Sequence, residues 1–247
     1  YISQSIGAGK KEQAKKASGQ AVLTVVIVGI FFTILTMGLS RKVPVWMQVD
    51  PSIQKLASSY FLEDKAFVKK FCFHSAAKSV HHGFVGGLLE HTLSVMKLCD
   101  FYTKSYPALN RDLLLTAALF HDIGKVQELS AFPENDYTDD GQLLGHIVIG
   151  TMMVADRIKE IPGFPAKTAA ELKHCILAHH GELEYGSPKK PALLEALALN
   201  FADNTDAKME TFIEALAEES RQSGEWKGYN KLFETNIRPT SHLGEKD

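Results

Sequence analysis

The sequence predicts an all-α helical bundle preceded by one apolar helix, and three observations carry that prediction. From about residue 63 onward, apolar residues recur at helical spacing, with no alternating strand pattern and no internal repeat. Nine of the ten histidines fall between residues 74 and 180, and they sit one per predicted helix or at helix ends. Residues 18–40 contain no charged side chain and are apolar on every face.

Taken in order, residues 18–40 come first. About 20 apolar residues at about 1.5 Å rise cross a bilayer core of about 30 Å, so this stretch is predicted to be a transmembrane helix. Lys10, Lys11, Lys15 and Lys16 precede it, and Arg41 and Lys42 follow. The run is too long for a signal peptide, and no small-residue cleavage site follows it. The four lysines favour an inside N-terminus, which would put the rest of the chain outside.

The next helix spans 85–104, with Leu88, Leu89, Leu93, Met96 and Cys99 on its apolar side. A helix over 111–121 follows Pro107. Residues 134–141 are turn-formers and predict a loop. Helices are predicted over 144–158 and 167–180, separated by Pro162-Gly163-Phe164-Pro165. Residues 181–191 read as a loop and 193–218 as a long helix. The tail after Ser223 is polar and is expected to be loosely ordered.

The formal charge of −2 hides an asymmetry: residues 1–61 carry +5 and residues 62–247 carry −7. The histidine-rich part is therefore acidic, which excludes a broad basic face for nucleic acid. A polyanion would have to be held by metal ions and a few lysines. Cys72, Cys99 and Cys175 have no CxxC spacing. They predict reduced core thiols in a cytosolic compartment.

The chemistry concentrates in Leu119-Phe120-His121-Asp122-Ile123-Gly124-Lys125. An imidazole beside a carboxylate offers a divalent metal two ligands of different hardness. His91, His146, the pair His179-His180, and Asp203 lie at gaps of about 20–35 residues, as a bundle needs to bring one residue per helix to a common centre. Neighbours on a helix differ by about 100°, so Asp122 is placed to bridge two ions. The cluster predicts a metal-dependent hydrolase with a dinuclear centre. His174, five residues before His179, points off that face. Lys189 and Lys190 read as a solvated loop or a contact to a nucleic-acid backbone. Glu90 reads as a surface or supporting carboxylate, Trp46 as an interface anchor and Trp226 as a packing residue.

The series His91, His121-Asp122, Asp203 resembles the HD-domain metal phosphohydrolases, and His146 with His179-His180 resembles their two-metal members. The resemblance narrows with Ala76-Ala77-Lys78-Ser79-Val80-His81-His82, Gly86-Gly87-Leu88-Leu89-Glu90-His91-Thr92, Leu144-Gly145-His146-Ile147, His179-His180-Gly181-Glu182 and Ala202-Asp203-Asn204. These blocks resemble the HD domain of bacterial 3′→5′ exoribonucleases over about residues 66–210. The resemblance implies a first ion on His91, His121, Asp122 and Asp203, and a second on Asp122, His146, His179 and His180. It implies manganese, with Fe, Co or Zn as alternatives for such a ligand set. Lys125 would neutralise a phosphate oxygen, and His81 and His82 would position the phosphate or donate a proton. The implied substrate is single-stranded RNA. That family carries an N-terminal OB-fold that grips single strands.

In that place this sequence has a different segment. Ser3-Gln4-Ser5-Ile6-Gly7-Ala8-Gly9-Lys10-Lys11-Glu12-Gln13-Ala14, Gly19-Gln20-Ala21, Asp50-Pro51 and Tyr60-Phe61 resemble part of a multidrug and toxin extrusion (MATE) transporter. The resemblance implies a cytoplasmic loop, one transmembrane helix and, over residues 50–61, the start of the next; one helix does not make a transport path. Residues 1–61 and 62–247 are thus expected to be two parts joined by accident near Leu62, with a genuine membrane tether through 18–40 as the alternative. The HD part is expected in the cytoplasm, or at the membrane if that helix is native. Two other functions compete: hydrolysis of small nucleotides or cyclic dinucleotides, and a non-catalytic, membrane-tethered HD interaction module. The Gly-Tyr-Pro tripeptide of the cyclic-dinucleotide branch is absent.

Overall fold

The computed structural model describes residues 50–78, 83–217 and 226–240. The apolar run 18–40, Trp46 and the pair His81-His82 lie outside these residues. Among the described residues, no helix is long and apolar enough to cross a membrane.

The chain from Pro51 onward forms one compact unit. It runs α1 (Pro51–Ser58), a π-helical turn (Ser59–Glu63), α2 (Lys65–Cys72), α3 (Gly87–Ser105), α4 (Arg111–Phe120), α5 (Lys125–Glu128), α6 (Asp139–Lys159), α7 (Ala166–Leu177), a 3₁₀ turn (Leu183–Tyr185), α8 (Leu194–Ala217), β1 (Gly228–Asn230) and β2 (Thr235–Ile237).

Helix α4 is the centre of the bundle, touching α1, α3, α7 and α8. It can be surrounded because Leu113, Leu114, Ala117, Ala118 and Phe120 are buried, and the two alanines let neighbours approach closely. The Asn110 carboxamide caps its start by accepting from Leu113 N at 3.2 Å. Arg111 reaches back to Asp100 on α3, with Nη2 to Oδ1 at 2.7 Å. The C-terminal end of a fully surrounded helix is itself deep in the core, and this end carries His121-Asp122.

Residues 51–61 pack into the same core. Ile53, Leu56 and Tyr60 are buried, and the Tyr60 hydroxyl donates to Met153 O of α6 at 2.8 Å. Phe61 meets Phe67, Phe71 and Phe120 edge-on or tilted, with ring centroids 5.2–5.9 Å apart. The element expected to begin a second apolar helix is thus amphipathic, with Lys55 exposed and its apolar side turned into the bundle.

Three local features depart from the sequence reading. The short helix α5 was not predicted. Helix α6 begins at Asp139, capped by Thr138, and contains a break at Gly145 (φ 72°, ψ 157°). The tail carries an antiparallel hairpin in which Gly228 pairs with Ile237 and Asn230 with Thr235. Asn230 Oδ1 closes its turn by accepting from Leu232 N and Phe233 N, and Ile237 is buried. The polarity of the tail concealed this, because a three-residue strand with one buried side chain leaves no alternating pattern. The fold is therefore mostly helical rather than all-α.

Candidate metal centre

The structure brings His91 from the second turn of α3, His121 and Asp122 from the end of α4, His146 from just past the break in α6, His179 and His180 from just past α7, and Asp203 from α8 to one place. Two subsets have ligand atoms within 4.8 Å of one another: His91, His121 and Asp203, and His146, His179 and His180. Asp122 lies between them. Its Oδ2 is 3.4 Å from both His91 Nε2 and His121 Nε2, while its Oδ1 is 3.5 Å from His146 Nε2 and 3.7 Å from His179 Nε2. Asp203 Oδ1 completes the first subset at 3.2 Å from His91 Nε2 and 3.9 Å from His121 Nε2.

All five imidazoles are aimed the same way. Each has Nδ1 hydrogen-bonded away from the centre: His91 to Asp206 Oδ2 at 2.7 Å, His121 to Ala118 O at 2.7 Å, His146 to Glu128 Oε1 at 2.9 Å, His179 to Ile176 O at 2.7 Å and His180 to Tyr185 O at 2.8 Å. A ring that donates from Nδ1 to an oxygen presents the lone pair of Nε2 inward, and this is how metal-ligating histidines are oriented. Asp122 Oδ1, His146 Nε2 and His179 Nε2 are buried and make no hydrogen bond. Buried polar atoms left so cost about 1–3 kcal/mol each, and a divalent cation among these lone pairs would remove that cost. The donor set of imidazoles and carboxylates suits a transition metal.

The electrostatics follow from burial and neighbouring charge. Burial lowers the pKa of His179 well below the ordinary value, with His180 and His121 adding to the shift, so its ring is held neutral. Burial likewise lowers that of His180. Burial opposes charge on His91, but the carboxylates of Asp122, Asp203 and Asp206 outweigh it and raise its pKa well above the ordinary value. Against burial, Lys125 and His121 hold the Asp122 carboxyl well below the usual range. The Lys125 ammonium sits 2.7 Å from Asp122 Oδ2, and that contact holds it charged although it is partly buried.

Two glycines set the geometry. A Cβ on Gly124 would fall 2.0 Å from His146 O, so only glycine lets the turn after Asp122 press against α6 at the level of His146. Gly145 adopts φ +72°, which re-aims the chain immediately before His146.

The residues missed from sequence are Glu128 and Asp206. Glu128 Oε1 accepts from both Nδ1 and the backbone N of His146, each at 2.9 Å. Asp206 was detectable, since a carboxylate three residues after Asp203 shares its helix face. Glu128 was not, because α5 was not predicted. Of the other residues, His174 Nε2 accepts from Ala192 N at 2.9 Å and faces away from the cluster. Glu90 is exposed, and Lys190 pairs with Glu182 at 2.5 Å. Cys99 and Cys175 are core thiols that burial pushes up to about 12. The loop leading to His81-His82 is anchored by Asn135, whose Nδ2 donates to Ala77 O and Lys78 O at 3.1 Å.

The family model described as HD domain matches residues 88–208, which begin three residues before His91 and end five after Asp203. This part of the chain belongs to the HD family. Among curated relatives, the chain is similar to "3'-5' exoribonuclease YhaM" of Geobacillus sp. strain WCH70, at 40% identity over 167 residues, 68% of this chain and 50% of the relative. The protein of that name from Bacillus velezensis is 41% identical over 160 residues, 65% of this chain and 50% of the relative. That from Bacillus subtilis is 39% identical over 167 residues, 68% and 52%. The chain spans about half the length of the curated relatives it matches. The MatE family model matches residues 1–62, so its match runs across the helix and turn that pack against the HD domain. No solved structure matches this chain.

Proposed function

We propose that the chain hydrolyses phosphodiester bonds at the 3′ end of single-stranded RNA through two divalent ions, manganese being the ion of choice. The observation that carries the reading is the split of Asp122, one carboxylate oxygen facing each set of inward-aimed imidazoles. The exoribonuclease activity for which the relatives are named supplies the substrate. His91, His121, Asp122 and Asp203 would hold one ion, and Asp122, His146, His179 and His180 the other. Ions bound there supply Lewis acidity and a water acidic enough to act as nucleophile near neutral pH.

The chain's own groups do the rest. Asp206 and Glu128 fix the rings of His91 and His146, so the two subsets hold their spacing without rearrangement. Lys125 keeps a permanent positive charge at the centre and balances a phosphate oxygen as negative charge develops. His81 and His82, outside the described residues, position the phosphate or supply a proton to the leaving oxygen.

The test is a 5′-labelled single-stranded RNA incubated with the chain and Mn²⁺, with Asp122→Ala alongside. The expected result is a ladder shortening from the 3′ end that the variant does not produce. Intact RNA with cleavage of bis(p-nitrophenyl) phosphate would move the substrate to small nucleotides. No cleavage of either would leave an HD domain without hydrolytic activity.

A further inference from the structure

We propose that the cleft beside the centre is a seat for a single nucleoside, the one attached to the phosphate under attack. The inference rests on the function proposed above and names what its site grips.

The cleft has a volume of about 390 Å³. Small-molecule sites begin at about 300 Å³, so it holds one nucleoside and not a run of bases. Its inner wall includes His180 and Asp203, one from each of the two ligand subsets. A phosphate held between the subsets therefore has its attached sugar and base directed into this space.

Its outer wall is Tyr185, a residue 71% exposed. An aromatic ring left in solvent beside a polar centre is a stacking platform for a base, and stacking tolerates any base because each has a π-face. The ring is not loosely placed. Tyr185 O accepts from His180 Nδ1 at 2.8 Å, so the backbone that carries the platform also orients a metal ligand. Ser187 Oγ ties the same turn to Leu177 O at 2.9 Å. Asn200 Nδ2 donates to His179 O at 2.8 Å, which fixes α8 against the ligand pair and so fixes the cleft's width.

Asn204, exposed on α8 and lining the cleft, offers a carboxamide that both donates and accepts, the chemistry of ribose hydroxyls and base edges. Among the described residues lining the cleft, Glu182 is the one acidic group besides Asp203, and Lys190 neutralises it at 2.5 Å. An anionic nucleotide thus meets little repulsion on entry.

The experiment is equilibrium binding of AMP and, separately, of inorganic phosphate to the 247-residue chain loaded with Mn²⁺. The variants are Tyr185→Ala and Tyr185→Phe, with Mn²⁺ uptake measured for each. AMP should bind at least about tenfold more tightly than phosphate, stacking on one aromatic ring being worth on the order of tenfold or more. Tyr185→Ala should lose about tenfold for AMP alone, Tyr185→Phe should keep it, and Mn²⁺ and phosphate binding should not change. Equal affinity for AMP and phosphate, or equal losses of both in Tyr185→Ala, would overturn the seat while leaving the metal centre standing. A wild-type chain that takes up no Mn²⁺ would overturn the centre and the seat together.

Discussion

At the scale of single residues, the centre depends on two carboxylates that stand behind its histidine rings. Asp206 and Glu128 hold His91 and His146 by Nδ1, while the other three histidines lean on backbone carbonyls that no side-chain change removes. Asp206→Ala and Glu128→Ala should each lower Mn²⁺ affinity about 10–100-fold, the usual effect of losing such a partner, as titration of the ion would read. Unchanged affinity would show that packing alone orients the rings. Lys125→Ala should keep the ions and slow turnover, and an unchanged rate would remove Lys125 from the chemistry. The ligand candidates were legible because metal chemistry restricts residue type and a bundle restricts spacing. Glu128 was not, because nothing in Lys125-Val126-Gln127-Glu128 announces a four-residue helix. The reading of His81-His82 rests on residues outside those described.

At the scale of elements, the geometry turns on how closely α5 approaches α6. Gly124→Ala would put a methyl group into the backbone of His146, where neither partner can swing aside. The variant should lose about 1–3 kcal/mol in chemical denaturation, as overpacked cores do, and bind Mn²⁺ more weakly. Wild-type stability would mean the turn relaxes freely.

Asp100 tests a different joint, between α3 and α4. Lys104 and Arg111 hold its carboxyl below the usual range. A depressed carboxyl stabilises the fold above its unfolded pKa and loses that contribution as pH falls through the folded value. Asp100→Asn should therefore be less stable than wild type at pH 7, and the gap should close below about pH 4. A gap that persists in acid would assign the effect to packing. The long helices were legible from periodicity. The break at Gly145 and the hairpin at 228–237 were not, since both rest on backbone angles and local side-chain caps.

At the scale of the whole molecule, the sequence divides near Leu62 by resemblance, whereas the packing of the bundle begins at Pro51. Leu56 is fully buried, and losing one such side chain costs about 2–5 kcal/mol. Tyr60 adds an aromatic contact and the hydrogen bond to Met153. Domain stabilities are about 5–15 kcal/mol, so removing residues 51–61 should cost much of the total. A chain of residues 51–247 should melt cooperatively, and one of residues 62–247 should melt far lower or not fold. Equal melting temperatures would show that this segment only lies on a finished bundle.

The central claim is that Asp122 joins two ions. The most direct test is to count Mn²⁺ equivalents bound per chain at saturation, for wild type and Asp122→Ala. Two equivalents in the wild type and loss of binding in the variant are the result expected. One equivalent in the wild type, or two retained in Asp122→Ala, would contradict it.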